Sequence, residues 1–156
     1  MLRRTLRRHG PGWLDRCHGR KLELVEALGV TRVVAGGGDS KTPEEEQQLY
    51  KHLRQIGDVA TERGIIYCCE THPGACQNAD NMLLTMDAVD HPQIQLNFDT
   101  GNLFYYNQKA DLETSLKQVL PFIGHIHLKD TPGGFEQWHF VELGSGVVDF
   151  RMVREV

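Results

Sequence analysis

Ile65-Ile66-Tyr67-Cys68-Cys69-Glu70-Thr71-His72-Pro73-Gly74 sets a five-residue apolar run against an acid and a turn. A short apolar run between turn signals reads as a buried strand. Its acid, Glu70, falls where the strand stops. Two later stretches repeat the arrangement. Ile94-Gln95-Leu96-Asn97-Phe98 ends in Asp99-Thr100-Gly101-Asn102, and Ile123-Gly124-His125-Ile126-His127-Leu128 ends in Lys129-Asp130. Glu70, Asp99 and His127 thus recur at a step of about 28 residues, close to one strand–helix–strand repeat.

Outward from these strands, the intervening segments read as helices. Thr42-Pro43-Glu44-Glu45 is a helix start: Thr suits the N-cap, Pro the first helical position, and acids the first turn. Leu49, Leu53, Ile56 and Ala60 continue it at three- and four-residue steps up to Gly64. Helices are also expected over 22–28, 78–89 and 112–122, with one beginning at Val148. Thr31 to Ala35 reads as a further strand that ends in Gly36-Gly37-Gly38, and His139-Phe140-Val141 as a fifth. Strands alternating with helices predict a parallel α/β sheet. In a parallel barrel the chemistry sits at the carboxyl ends of the strands. The expected fold is therefore a partial (β/α)8 TIM barrel of about five parallel strands. A complete barrel takes about 250 residues, and this chain has 156, so the first two strands and the last are expected to be absent.

Composition narrows the function classes. The chain is 40% hydrophobic and 24% charged, as expected of a globular protein. No run approaches the roughly 18 apolar residues of a membrane span. Residues 1–20 form a basic tail, expected to be disordered or outside the fold, and residues 21–156 form the barrel domain. Through Lys21 there are seven Arg/Lys against the single acid Asp15, which leaves ten Arg/Lys against twenty Asp/Glu in the body. An acidic body disfavours nucleic-acid binding, which needs a positive stripe. Cys17, Cys68, Cys69 and Cys76 occur without secretory context, so free thiols and a cytoplasmic location are expected. A zinc site from Cys68, Cys69, His72 and Cys76 matches none of the usual structural zinc spacings.

Side chains alternate along a strand. If Glu70, Asp99 and His127 point into the barrel mouth, then Cys68, Asn97 and His125 lie one layer below. Two carboxylates and an imidazole suit a divalent ion such as Mn, Mg, Co or Zn. Such an ion polarises a carbonyl and stabilises charge beside it. Lys129 offers an ammonium to a substrate phosphate or carboxylate. His72 and Trp138 are placed to line the mouth. Gly144-Ser145-Gly146 could cradle an anion or simply make a turn, and the Gly36-Gly37-Gly38 run has the same ambiguity. It lacks the spacing of a dinucleotide fingerprint.

Glu70-Thr71-His72-Pro73-Gly74, Asn97-Phe98-Asp99-Thr100-Gly101-Asn102, His125-Ile126-His127-Leu128-Lys129-Asp130 and Leu143-Gly144-Ser145-Gly146-Val147-Val148-Asp149-Phe150 together resemble the xylose-isomerase-like barrel superfamily. That group includes sugar phosphate isomerase/epimerases, ketose 3-epimerases, inosose dehydratases and hydroxypyruvate isomerases. The resemblance covers roughly residues 21–156. It implies a divalent metal held by Glu70, Asp99, His127 and a second Glu on a last strand that this chain does not reach. Glu142 comes too early for that role. The resemblance further implies metal-assisted proton transfer next to a carbonyl, with Glu70 and His127 catalytic and His72, Asn102, Lys129 and Trp138 binding substrate. The epimerases carry a His where Asn102 stands, and an acid about where Cys76 stands. Both departures weaken a 3-epimerase reading.

The expected function is thus a metal-dependent isomerase or epimerase of a small sugar, sugar phosphate or polyol in carbohydrate metabolism. An inosose-dehydratase-like lyase, an apurinic-endonuclease-like phosphodiester hydrolase and an inactive partial barrel needing a partner chain are the alternatives. Open sheet edges would favour a homo-oligomer or a partner chain that covers them.

Overall fold

The structure is a computed structural model that describes residues 19–156, with side chains from Leu22 onward. The expected basic tail falls almost wholly outside those residues. Among them the element order is α1 (Gly19–Ala27), β1 (Arg32–Gly36), α2 (Pro43–Glu62), β2 (Ile66–Glu70), α3 (Ala79–Val89), β3 (Ile94–Asp99), α4 (Thr100–Tyr106), α5 (Leu112–Val119), a 3-10 turn (Leu120–Phe122), β4 (Ile123–His127) and α6 (Phe150–Glu155). The sheet has the order β1-β2-β3-β4, and every neighbouring pair is parallel. This is the partial barrel that the strand–helix alternation predicts.

The helices start where their caps direct. Thr42 Oγ1 accepts from Glu45 N at 3.2 Å with Pro43 at the first position, and Asn78 Oδ1 accepts from Asn81 N at 3.0 Å. The apolar stripe of α2 buries Leu53, Ile56, Val59 and Ala60. These pack with Met82, Met86 and Val89 of α3 and Leu116 and Val119 of α5 over one face of the sheet, where Tyr67, Cys69, Ile94, Leu96 and Phe98 meet them. Asn97 and Cys68 are buried outside that apolar cluster. Alternation places them on the opposite, barrel-interior face. There His125 Nδ1 lies 2.7 Å from Asn97 Oδ1, and Arg32 Nε donates to the Gly124 carbonyl at 3.1 Å, which links β1 to β4 across that face.

Two elements differ from expectation. His139-Phe140-Val141 makes no strand, and Val141 forms only an isolated antiparallel bridge with Asp130. The sheet among the described residues therefore has four strands. The second difference is α4. Thr100-Gly101-Asn102 reads as a turn, yet Asp99 caps a helix there, with Oδ1 accepting from Gly101 N at 3.1 Å and Asn102 N at 2.8 Å. In the glycine run that begins at the end of β1, Gly37 serves packing. A Cβ on Gly37 would come within 3.0 Å of Cys76 Sγ and 3.4 Å of Cys69 Cβ.

Candidate metal centre

Three neighbouring strand tips bring Glu70, Asp99 and His127 together, one from each of β2, β3 and β4. Two threonines, each following one of the acids, hold the tips in register. Thr71 Oγ1 accepts from Asp99 N at 3.0 Å, and Thr71 N donates to the Asn97 carbonyl at 3.1 Å. Thr100 Oγ1 donates to the Lys129 carbonyl at 2.6 Å and accepts from Lys129 N at 2.9 Å. Both threonines are fully buried. The first ties β2 to β3, and the second ties β3 to the end of β4. Neither was picked out from the sequence, although the repeated acid–threonine pair at 70–71 and 99–100 is the signal that would have found them.

Asp99 divides its carboxylate between two tasks. Oδ1 caps α4. Oδ2 lies 3.0 Å from His127 Nδ1 and 3.0 Å from Lys129 Nζ. The same His127 nitrogen is 3.5 Å from Glu70 Oε1. Ligand-type atoms of Glu70, Asp99 and His127 all lie within 4.8 Å of one another, the one such cluster among the described residues. Asp99 is fully buried, whereas the side chains of Glu70 and His127 are 27% and 45% exposed. The centre therefore opens to solvent on the Glu70–His127 side.

This donor set fits a divalent cation. Its oxygen and nitrogen ligands suit such an ion. Buried Asp99 Oδ2 has no hydrogen bond of good geometry despite its two ionic neighbours, and a buried acceptor of that kind calls for a further partner. A cysteine zinc site has no such support. Cys68 and Cys69 point to opposite faces, and burial pushes the Cys68 thiol up to about 11 despite the nearby Arg32. A hydrogen bond with Cys76, followed by burial, raises Cys69 well above the ordinary thiol value. Buried thiols of this kind are inert.

The other expected site residues spread around the cluster. Lys129 Nζ reaches Asn102 Oδ1 at 3.1 Å as well as Asp99. Asn102 is 3% exposed, and its amide nitrogen donates to the Thr71 carbonyl at 2.9 Å, so both ends of its side chain are engaged within the protein. His72 is exposed and its ring lies 5.2 Å from Tyr106. Trp138 is 66% exposed. It packs edge-on against Tyr105 at 5.0 Å and Phe140 at 4.9 Å, and Lys129 Nζ lies 4.9 Å from the Phe140 ring centre. Tyr105, Tyr106 and Phe140 thus join the expected His72 and Trp138 in an aromatic wall beside the cluster.

Asp130, next along the chain, is almost wholly buried. Its Oδ1 accepts from Thr131 N at 2.9 Å and Val148 N at 3.2 Å, and its Oδ2 from Gly144 N and Gly146 N at 2.8 Å each. Burial raises its pKa, but the four backbone donors at Gly146, Val148, Thr131 and Gly144 together outweigh it and hold the carboxyl below its ordinary value.

The family model described as a xylose isomerase-like TIM barrel matches residues 16–156. An inosose dehydratase from Klebsiella pneumoniae subsp. pneumoniae is 32% identical over 136 residues, which takes in 74% of this chain and 45% of that protein. The chain therefore spans just under half the length of that curated relative. Among solved structures, a xylose isomerase-like TIM barrel protein from Mycobacterium smegmatis in complex with magnesium aligns with TM-score 0.70 at 23% identity, covering 87% of this chain and 53% of that one. The IOLI protein with a binding zinc atom aligns with TM-score 0.69 at 21% identity, over 87% and 52%. At such identities the two structures speak for the fold alone.

Proposed function

The chain belongs to the xylose isomerase-like TIM barrel family, and from that premise we propose that its strand tips handle a proton next to the carbonyl of a small sugar or polyol. Glu70, Asp99 and His127 would hold a divalent ion of the Mn, Mg, Co or Zn class. When bound, such an ion supplies Lewis-acid polarisation of the carbonyl. The observation that carries the reading is the convergence of the three ligand-type atoms within 4.8 Å.

The protein's own groups divide the remaining work. Asp99 is pinned by two backbone N–H groups, His127 and Lys129, so it serves as a fixed ligand. Glu70 is the accessible carboxylate and takes the proton, with His127 beside it. Lys129 presents its ammonium to a substrate oxygen, and Asn102 orients that ammonium. His72 and Trp138 offer aromatic faces to the carbon side of a sugar or polyol ring.

Dehydration is the favoured outcome: Glu70 takes the proton from the carbon next to the carbonyl and passes a proton to the hydroxyl on the neighbouring carbon, whose C–O bond breaks to release water. The inosose dehydratase likeness supports it. So does Asn102, which cannot exchange a proton near neutral pH as an imidazole can. Isomerisation or epimerisation shares the first step and differs in returning the proton to carbon, with no C–O bond broken. Free thiols at Cys68, Cys69 and Cys76 agree with a cytoplasmic setting, which belongs to the same proposal. No helix among the described residues is long and apolar enough to cross a membrane.

The test is calorimetric titration of the purified chain with Mn2+, followed by mass analysis after incubation with an inosose and with a ketose. Loss of Mn2+ binding in Glu70→Ala, Asp99→Ala and His127→Ala is expected, with loss of one water from the inosose. Mn2+ affinity unchanged in all three variants removes the reading. A product of unchanged mass but altered retention selects isomerisation.

A further inference from the structure

Gly144-Ser145-Gly146 does cradle an anion, and the anion is the protein's own Asp130. We propose that Asp130 is a positioning residue: by clasping the loop 131–148 it holds the rings of Trp138 and Phe140 beside Lys129, and so builds the wall against which a ring-shaped polyol lies at the Glu70–Asp99–His127 cluster. The ligand class rests on the function proposed above, whereas the clasp itself rests on geometry alone.

The two carboxylate oxygens gather backbone N–H groups from both ends of the loop, Thr131 at its start and Gly144, Gly146 and Val148 at its close. The main chain reinforces the base. Val141 N donates to the Asp130 carbonyl at 3.0 Å, and Val147 N to the Thr131 carbonyl at 2.9 Å. At the far end Glu136 N donates to the Tyr105 carbonyl at 3.0 Å, and Trp138 packs on the Tyr105 ring. The loop is therefore a strap from the tip of β4 across to α4, with its aromatic residues beside Lys129.

Adjacency in sequence couples the strap to the site. Lys129 sends its ammonium to Asp99 and Asn102, and Asp130, the next residue, faces the opposite way into the loop. Loosening the strap moves the wall, while Thr100 keeps the Lys129 main chain in place. The chemistry of the clasp demands a carboxylate. Four N–H donors need four acceptor sites, and an asparagine would turn an N–H2 toward two of them. It also demands Gly146, because a Cβ there would run into Asp130 Oδ1 and the Thr131 carbonyl.

The experiment compares the unaltered chain, Asp130→Asn and Gly146→Ala by hydrogen exchange, Mn2+ titration and inosose titration. The second variant keeps the carboxylate and decides the matter if the first does not fold. Expected is a rise of roughly tenfold in amide exchange confined to residues 131–148, as loss of one or two hydrogen bonds implies. Exchange in β2 and β3 and Mn2+ affinity stay unchanged, and inosose affinity falls by roughly tenfold. Loop exchange that stays unchanged in the variants overturns the proposal, as does exchange that rises equally in β2 and β3. If the unaltered chain binds Mn2+ but no inosose, the ligand reading falls, and loop exchange still decides the clasp.

Discussion

The hydroxyl of Thr71 accepts the backbone N–H of Asp99 at 3.0 Å, in an environment with no solvent access to either residue. The tip of β2 thereby positions the ligand carried by β3. Thr71→Val keeps the shape and removes the acceptor, leaving the Asp99 N–H buried without a partner. An orphaned buried donor costs about 1–3 kcal/mol. Urea denaturation should show a loss of that size, and Mn2+ affinity should fall with it although Thr71 is no ligand. Thr100→Val should act alike, through Lys129. A Thr71→Val chain as stable as the original would deny the staple.

Asp99 permits a separation of structure from binding. Asp99→Asn retains an oxygen for Gly101 N and Asn102 N but removes the charge that faces His127 and Lys129. Asp99→Ala removes both, and loss of an N-cap costs about 1 kcal/mol. Denaturation should therefore rank Asp99→Asn, which loses only the ionic contacts of Oδ2, above Asp99→Ala, which loses the cap as well, while both variants lose most of their Mn2+ affinity. Equal destabilisation by the two substitutions would show that Oδ1 contributes little to α4.

Acid should loosen the clasp before neutral conditions do. The folded pKa of Asp130 lies below its unfolded value. Its stabilising effect is thus fully present above the ordinary aspartate value near 3.9 and is lost as the pH falls through the lower folded value. The denaturation midpoint of the original chain, followed downward from pH 6, should fall more steeply in the acid range than that of Asp130→Asn. Parallel curves for the two chains would contradict the shift. The other lowered acids, Glu44 and Asp111, are common to both chains and cancel in the comparison.

Strand positions and the metal-type ligands are legible in the sequence because they depend on local pattern. Ile65–Cys69 and Ile94–Phe98 are apolar runs with an acid at the end, and a parallel sheet brings such ends together. Legibility stops where the partners are distant or concern the main chain. Asp99 looks like the start of a turn because Thr100-Gly101-Asn102 are poor helix formers, but its side chain supplies the cap that allows α4 to start at once. His139-Phe140-Val141 has strand composition, yet the Asp130 clasp bends the loop so that only Val141 pairs. The anion-cradle reading of Gly144-Ser145-Gly146 could not name its anion, since Asp130 lies 14 residues from Gly144 and 16 from Gly146.

Thiol chemistry offers an independent check on the packing of β2. Cys68 and Cys69 are fully buried and have raised pKa values, and Cys76 is 1% exposed. In a Cys17→Ser chain, a disulfide reagent at pH 8 should modify none of these three until denaturant is added. Rapid modification of Cys69 or Cys76 in the native chain would mean that the contact between Gly37, Cys69 and Cys76 opens readily.

The remaining prediction concerns the sheet edges. β1 and β4 each have a partner strand on one side only among the described residues, and the barrel-interior face carries half-open polar groups. His125 is exposed and buried Asn97 Nδ2 has no hydrogen-bond partner. Unpaired backbone groups along an edge strand template further pairing, and an orphaned amide adds to the drive for cover. The isolated chain is therefore expected to associate in sedimentation, with the associated fraction rising with concentration. Val34→Lys, which places a charge on exposed β1, should shift the balance toward monomer without altering Mn2+ affinity. A monodisperse monomer across the concentration range would show that the chain's own groups suffice to protect both edges.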